Sequence, residues 1–194
     1  PTRITQTAHS EWQPVFGPDG RTVYFLSDAG EQGSTQVWRM AVGGKPEVVT
    51  RFGQDIEDFA LAPDGRKLAV IVRDPQIQPG AAKPVKPPPL VTTRFQFKED
   101  ITGYLDDRRL HLHLVDVNDG SSTALTRGPY DHYLPSFSPD SKHIAFVSKR
   151  GEDPDRHLNY DIYMVEAKAG GIEKQITHYP GTDLDPYWET RPAW

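Results

Sequence analysis

Gln13-Pro14-Val15-Phe16-Gly17-Pro18-Asp19-Gly20-Arg21 returns as Asp58-Phe59-Ala60-Leu61-Ala62-Pro63-Asp64-Gly65-Arg66 and again as Leu134-Pro135-Ser136-Phe137-Ser138-Pro139-Asp140-Ser141-Lys142. Each copy reads as a tight turn between two strands. Proline presets the backbone angle, aspartate bonds its own backbone, and glycine supplies the positive φ of a sharp reversal. Internal repeats decide the architecture before any single element does.

A short apolar run follows each turn: Val23-Tyr24-Phe25-Leu26, Leu68-Ala69-Val70-Ile71-Val72 and Ile144-Ala145-Phe146-Val147. None alternates with polar residues, so each fits a strand covered on both faces. A third strand is expected at Val37-Trp38-Arg39-Met40, at Leu112-His113-Leu114-Val115 and at Ile162-Tyr163-Met164-Val165. A glycine turn then leads to a fourth, ending at Thr50, Thr126 and Thr177. Four antiparallel strands per repeat make a propeller blade, whose faces are covered by neighbouring blades. The step from Pro18 to Pro63 is 45 residues, the length of such a blade. The later steps, 76 residues to Pro139 and 57 from Phe137 to Trp194, predict insertions between the second and third strands of the second and third blades.

The fold class is therefore all-β: a β-propeller portion with three four-stranded blades over 12–50, 58–126 (carrying an insertion at 73–109) and 134–177. Residues 1–5 align with the fourth strand of a preceding blade, and 190–194 align with the first strand of a following one. The expectation is a trimmed chain, beginning and ending mid-blade. An open ring leaves strand edges and blade faces to be covered by flanking sequence or by a partner.

The 22 basic and 27 acidic residues give a net charge of −5 without blocks of one sign, which provides no footprint for nucleic acid or for an anionic membrane. No apolar run reaches the ~20 residues of a membrane span. With no cysteine, disulfides and thiolate metal sites are excluded, and the compartment, cytoplasmic or periplasmic, stays open.

The blade consensus resembles the repeats of the TolB group of periplasmic propellers and those of the prolyl oligopeptidase family of serine peptidases. Gly17, Ala62, Leu61 and Ser141 depart from the usual turn residues. Within the second-blade insertion, Val91-Thr92-Thr93-Arg94-Phe95-Gln96-Phe97-Lys98 and Gly103-Tyr104-Leu105-Asp106-Asp107-Arg108-Arg109-Leu110-His111-Leu112 resemble a segment of the acylaminoacyl-peptidase and dipeptidyl-peptidase branch. The resemblance implies the substrate-gating propeller of a serine exo- or oligopeptidase acting on short peptides. Its partners would be the rest of its own ring and a C-terminal α/β-hydrolase domain holding the triad. The alternative it leaves open is a TolB-like propeller that binds proteins and catalyses nothing.

No catalytic residue is expected in the chain itself, because Gly33-Ser34-Thr35 and Gly120-Ser121-Ser122 lack the spacing of a nucleophile elbow. Neither cofactor nor metal is expected. His111 and His113 share a strand face but lack a third ligand. Glu152-Asp153-Pro154-Asp155 and Thr182-Asp183-Leu184-Asp185 lack the spaced carboxylates of a calcium loop and read as solvated. The proline-rich Pro75–Pro89 reads as a stiff connector, and the tryptophans as blade-packing residues. Arg94, Asp106, Arg108 and Arg109 are the candidates for shaping a peptide entrance, as guanidinium groups bind carboxylates and carbonyls at two points. The competing expectation is that Asp106 and Asp107 pair with Arg108 and Arg109 to stiffen a hairpin.

Overall fold

The computed structural model describes residues 3–5, 7–75, 92–99, 103–183 and 191–194. The aligned segments at Pro1-Thr2, most of Pro75–Pro89, Trp188 and residue 190 lie outside the described residues.

Strands β1 (Glu11–Phe16), β2 (Thr22–Ser27), β3 (Gln36–Ala41) and β4 (Glu47–Val48) form the first sheet in that order. β5 (Ile56–Leu61), β6 (Lys67–Arg73), β9 (Leu110–Asp116) and β10 (Ser122–Ala124) form the second. β11 (His132–Phe137), β12 (His143–Ser148), β13 (Asp161–Glu166) and β14 (Lys174–Gln175) form the third. Every pairing is antiparallel. Between β6 and β9 a small hairpin, β7 (Lys98–Glu99) and β8 (Gly103–Tyr104), stands apart from the blades. The only helical pieces among the described residues are short 3-10 turns at Glu31–Gly33 and Pro154–Arg156. This is the β-propeller architecture that the repeat indicates. Residues 149–160 link β12 to β13, against 28–35 in the first blade, so only part of the third blade's extra length falls there. Two further residues fall in the turn between β13 and β14, where Met164 pairs with Lys174 against Arg39 with Glu47, and the remainder follows β14, a correction to the expected placement.

The non-alternating strands are explained by two-sided burial. In β6, Leu68, Val70 and Val72 pack with Tyr24, Leu26 and Val37 of the first blade. On the opposite face, Ala69 and Ile71 pack with Ile144, Phe146 and Tyr163 of the third. Leu68 and Val70 are fully buried, each contributing about 1.5–3 kcal/mol relative to exposure.

The turns form as read. Gly20, Gly65 and Ser141 each donate a backbone N–H back to residue 17, 62 or 138, at 3.0, 2.8 and 2.9 Å. All three have positive φ, including the non-glycine Ser141 at 61°. Its hydroxyl accepts from Asp64 N–H at 3.1 Å and so ties the third turn to the second. The threonine closing each repeat fastens the fourth strand to the third. Thr50, Thr126 and Thr177 Oγ1 accept from Val37, Leu112 and Ile162 N–H, each at 2.9 Å.

Candidate functional site

The first strands of the three blades converge. The register of β1 slips between Trp12 and Val15, and that of β11 slips between Tyr133 and Ser136. Gln13 and Leu134, at φ 53° and 52°, occupy the bulged positions. A bulge re-aims its side chain. Gln13 Nε2 consequently donates to Asp58 Oδ1 at 2.7 Å and to Phe59 O at 3.0 Å in the next blade. Asp58 Oδ1 also accepts from Arg191 Nη2 at 2.5 Å, and Arg191 Nη1 donates to Pro135 O at 2.8 Å. Gln13, Asp58, Leu134 and Arg191 occupy the same repeat position; three of them meet through Asp58, whereas Leu134 is packed into the core. Trp194 Nε1 adds a bond to Ser136 O at 3.2 Å.

Beside this ring lies a cavity of about 620 Å³. Trp12, Glu57, Asp58, Arg73 and Arg191 line it from the blades, and Arg94 and Glu99 line it from the second-blade excursion. The lining mixes both charges with one exposed aromatic, Trp12, which therefore faces the cavity rather than serving blade packing as expected from its strand position. Such a surface suits a zwitterionic or amide-rich ligand better than a hydrocarbon or a polyanion.

Arg94 anchors the excursion. Its side chain is 7% exposed, with Nε and Nη2 on the two oxygens of Asp155 at 3.2 and 3.0 Å and Nη2 also 3.4 Å from Asp131. Burial opposes its charge, but the bond to Asp155 and the nearby Asp131 outweigh burial and raise its pKa. The same guanidinium holds Asp155 below the usual carboxylate range in spite of burial. Asp155 is thus a buried partner, which corrects the solvated reading for that residue, while Glu152 and Asp153 are exposed as expected. Asp131 gathers Arg109 Nη1 at 3.0 Å and Leu110 N–H at 2.9 Å. Arg108 pairs locally with Asp106 at 2.7 Å, while Asp107 accepts from Thr93 Oγ1 at 2.8 Å. Hydrogen bonds from Arg108 lower the Asp106 pKa against the effect of burial. Of the four sequence candidates, Arg94 lines the axial cavity, Arg109 sits on its supporting carboxylate, and Asp106 and Arg108 form a half-exposed pair nearby. Sequence reading missed Asp58, Asp131 and Arg191, which look like ordinary strand-start residues until the first strands are brought together.

His111 and His113 serve packing. His111 lies 3.5 Å from Asp74 and its ring is 5.3 Å from that of His132, while His113 stands edge-on to Phe52. Burial lowers the pKa of both, that of His113 to about 4. Among the described residues no group of three or more histidines and carboxylates is arranged to hold a metal.

No protein-family profile matches the sequence. Over 162 residues it is 28% identical to a Bacillus subtilis (strain 168) protein described as an uncharacterized peptidase, YuxL, covering 78% of this chain. The chain spans 24% of that relative's length. Among solved structures it resembles the acylaminoacyl peptidase of Pyrococcus horikoshii, with a TM-score of 0.62 and 14% identity over 87% of this chain and 25% of that one. It also resembles TolB of Acinetobacter baumannii, with a TM-score of 0.57 and 14% identity over 92% of this chain and 35% of that one. The chain is a β-propeller of the type that TolB and propeller-bearing peptidases share, and its similarity in sequence is to a peptidase.

Proposed function

We propose that these blades belong to a partial propeller that gates a serine exo- or oligopeptidase, with residues 1–5 and 190–194 contributing to neighbouring blades of the same ring. A C-terminal α/β-hydrolase domain would supply the serine, histidine and carboxylate, as well as the oxyanion donors. The observation that carries this reading is the peptidase relationship over 78% of the chain. The axial cavity supports it, because an opening lined by Arg94, Arg191, Glu57 and Asp58 offers charge to both ends of a short peptide. Arg94, Asp106, Arg108 and Arg109 then shape the peptide entrance.

A second reading, a non-catalytic TolB-like propeller that binds proteins, is favoured by the likeness to TolB over 92% of the chain. Labelling of the full-length protein with a fluorophosphonate separates the two. Covalent modification of one serine within a Gly-x-Ser-x-Gly elbow is expected of the peptidase. A full-length protein that takes up no label belongs to the second reading.

A further inference from the structure

We propose that Asn159, Asp161 and Asp183, at the start of β13, form a binding site for a divalent hard cation, calcium by its chemistry. This goes beyond the gating function and does not depend on it.

The site follows from comparing one repeat position across blades. Gln36, His111 and Asp161 each directly precede the third-strand residue whose N–H bonds the closing threonine. In the first blade the position is closed by a neutral amide. Gln36 Oε1 accepts from Thr50 Oγ1 and Phe52 N–H, both at 2.9 Å, and its Nε2 donates to Phe52 O and Gln54 O, both at 3.1 Å. In the third blade a carboxylate stands there instead. It has no hydrogen to donate, and among the described residues its side chain bonds the Thr177 hydroxyl. Its residue is 7% exposed, and Oδ1 is wholly buried without a partner.

Two further buried acceptors without partners belong to residues close to it along the chain or in space, Asn159 Oδ1 and Asp183 Oδ2. Asn159 lies two residues before Asp161, which opens β13. Asp183 is fixed against the residue between them, its N–H donating to Tyr160 O at 3.0 Å. Half of the buried orphan polar atoms among the described residues are these three oxygens. The Asp183 carboxylate places a second negative charge near Asp161, with His178, Thr177 and His157 also close to it. Buried oxygens with a shared negative charge and no donor favour a cation, since an unpartnered buried acceptor costs about 1–3 kcal/mol and a charged one more. Carboxylate and amide oxygens in irregular array are the donor set of calcium, whereas magnesium demands a near-octahedral shell. The ligands come from two separated stretches, 159–161 and 183, and only Asp183 belongs to one of the acidic stretches singled out in the sequence.

Terbium, a luminescent calcium surrogate that Tyr160 is placed to sensitise, tests this in the full-length protein. Saturable luminescence that calcium displaces is expected, with calcium affinity in roughly the 10⁻⁴–10⁻³ M range of few-ligand sites. Asp161→Asn and Asp183→Asn should each weaken binding at least about tenfold with circular dichroism unchanged. Asp153→Asn, whose carboxylate is exposed and paired with Arg156, should leave it unaltered. Absence of saturable binding overturns the proposal, as does binding that survives both substitutions. So does a pair that instead shares a proton, seen as stability that rises on acidification and ignores calcium.

Discussion

Arg94 and Asp155, 61 residues apart, form a two-point ion pair that bolts the excursion of the second blade onto the β12–β13 connection of the third. Both side chains are 7% exposed, so removing either partner strands a buried charge.

Arg94→Ala is therefore expected to destabilise the protein by about 3–5 kcal/mol, whereas Arg108→Ala, which breaks a half-exposed pair with Asp106, costs ~1 kcal/mol or less. Arg94→Lys should recover only part of the loss, because an ammonium cannot meet both oxygens in the same plane. Urea denaturation of the three variants measures the difference. Equal effects for Arg94→Ala and Arg108→Ala would contradict the anchoring role.

Acidification should weaken the fold through its buried histidines. His132 Nδ1–H donates to Leu110 O at 2.7 Å and Nε2 accepts from Arg150 Nη2 at 3.2 Å, and burial lowers its pKa to about 3. Above pH ~6.5 the imidazole is neutral in both the folded and the unfolded chain. Below that pH the unfolded chain takes up a proton that the folded one refuses, so stability falls progressively toward pH 3. His113, lowered to about 4, acts in the same direction. Each histidine contributes a slope of up to ~1.4 kcal/mol per pH unit. His132→Asn, which keeps the donor to Leu110 O, should flatten the dependence of Tm on pH between 6.5 and 4; an unchanged slope would refute the assignment.

The blades were legible in the sequence because their signals are local. Turn chemistry, apolar runs and the closing threonines recur in each repeat, and the four strands they mark in each of the three blades are present. The axial lining was not legible, since Gln13, Asp58 and Arg191 meet only when first strands from separate repeats converge and a bulge turns Gln13 inward. For the same reason Asp155 read as solvated, its partner Arg94 lying in another blade's excursion. Composition likewise gave no hint that Trp12 would face a cavity, because the strand pattern assigns a side chain to a face and says nothing of whether another blade covers that face.

Two glycines in equivalent turns should differ in their tolerance of a side chain. Gly20 and Gly65 have φ of 62° and 73°, but a Cβ on Gly20 would meet nothing, while one on Gly65 would come 2.8 Å from the Pro18 ring. Gly20→Ala should cost about 1 kcal/mol, the left-handed penalty alone. Gly65→Ala should cost measurably more, as the contact between the first and second turns must open. Thermal unfolding of both variants decides; equal losses would mean that the two turns are not in contact.

The entrance role of the excursion separates from its structural role by kinetics. Arg108 is the candidate guanidinium with the least burial, paired among the described residues with Asp106. Arg108→Ala in the full-length protein is expected to lower kcat/KM on short peptides by more than about tenfold at unchanged Tm, equivalent to ~1.4 kcal/mol of lost transition-state binding. A fall only in step with stability would leave Arg108 as a hairpin brace.

The most direct measurement of the gating account is the dependence of peptide hydrolysis by the full-length protein on substrate length. The expected result is cleavage of chromogenic dipeptide and acyl-amino-acid substrates that a serine-directed inhibitor abolishes, with kcat/KM falling steeply as the substrate grows into a long or folded polypeptide. Hydrolysis indifferent to substrate size, or none at all on short peptides, would contradict it.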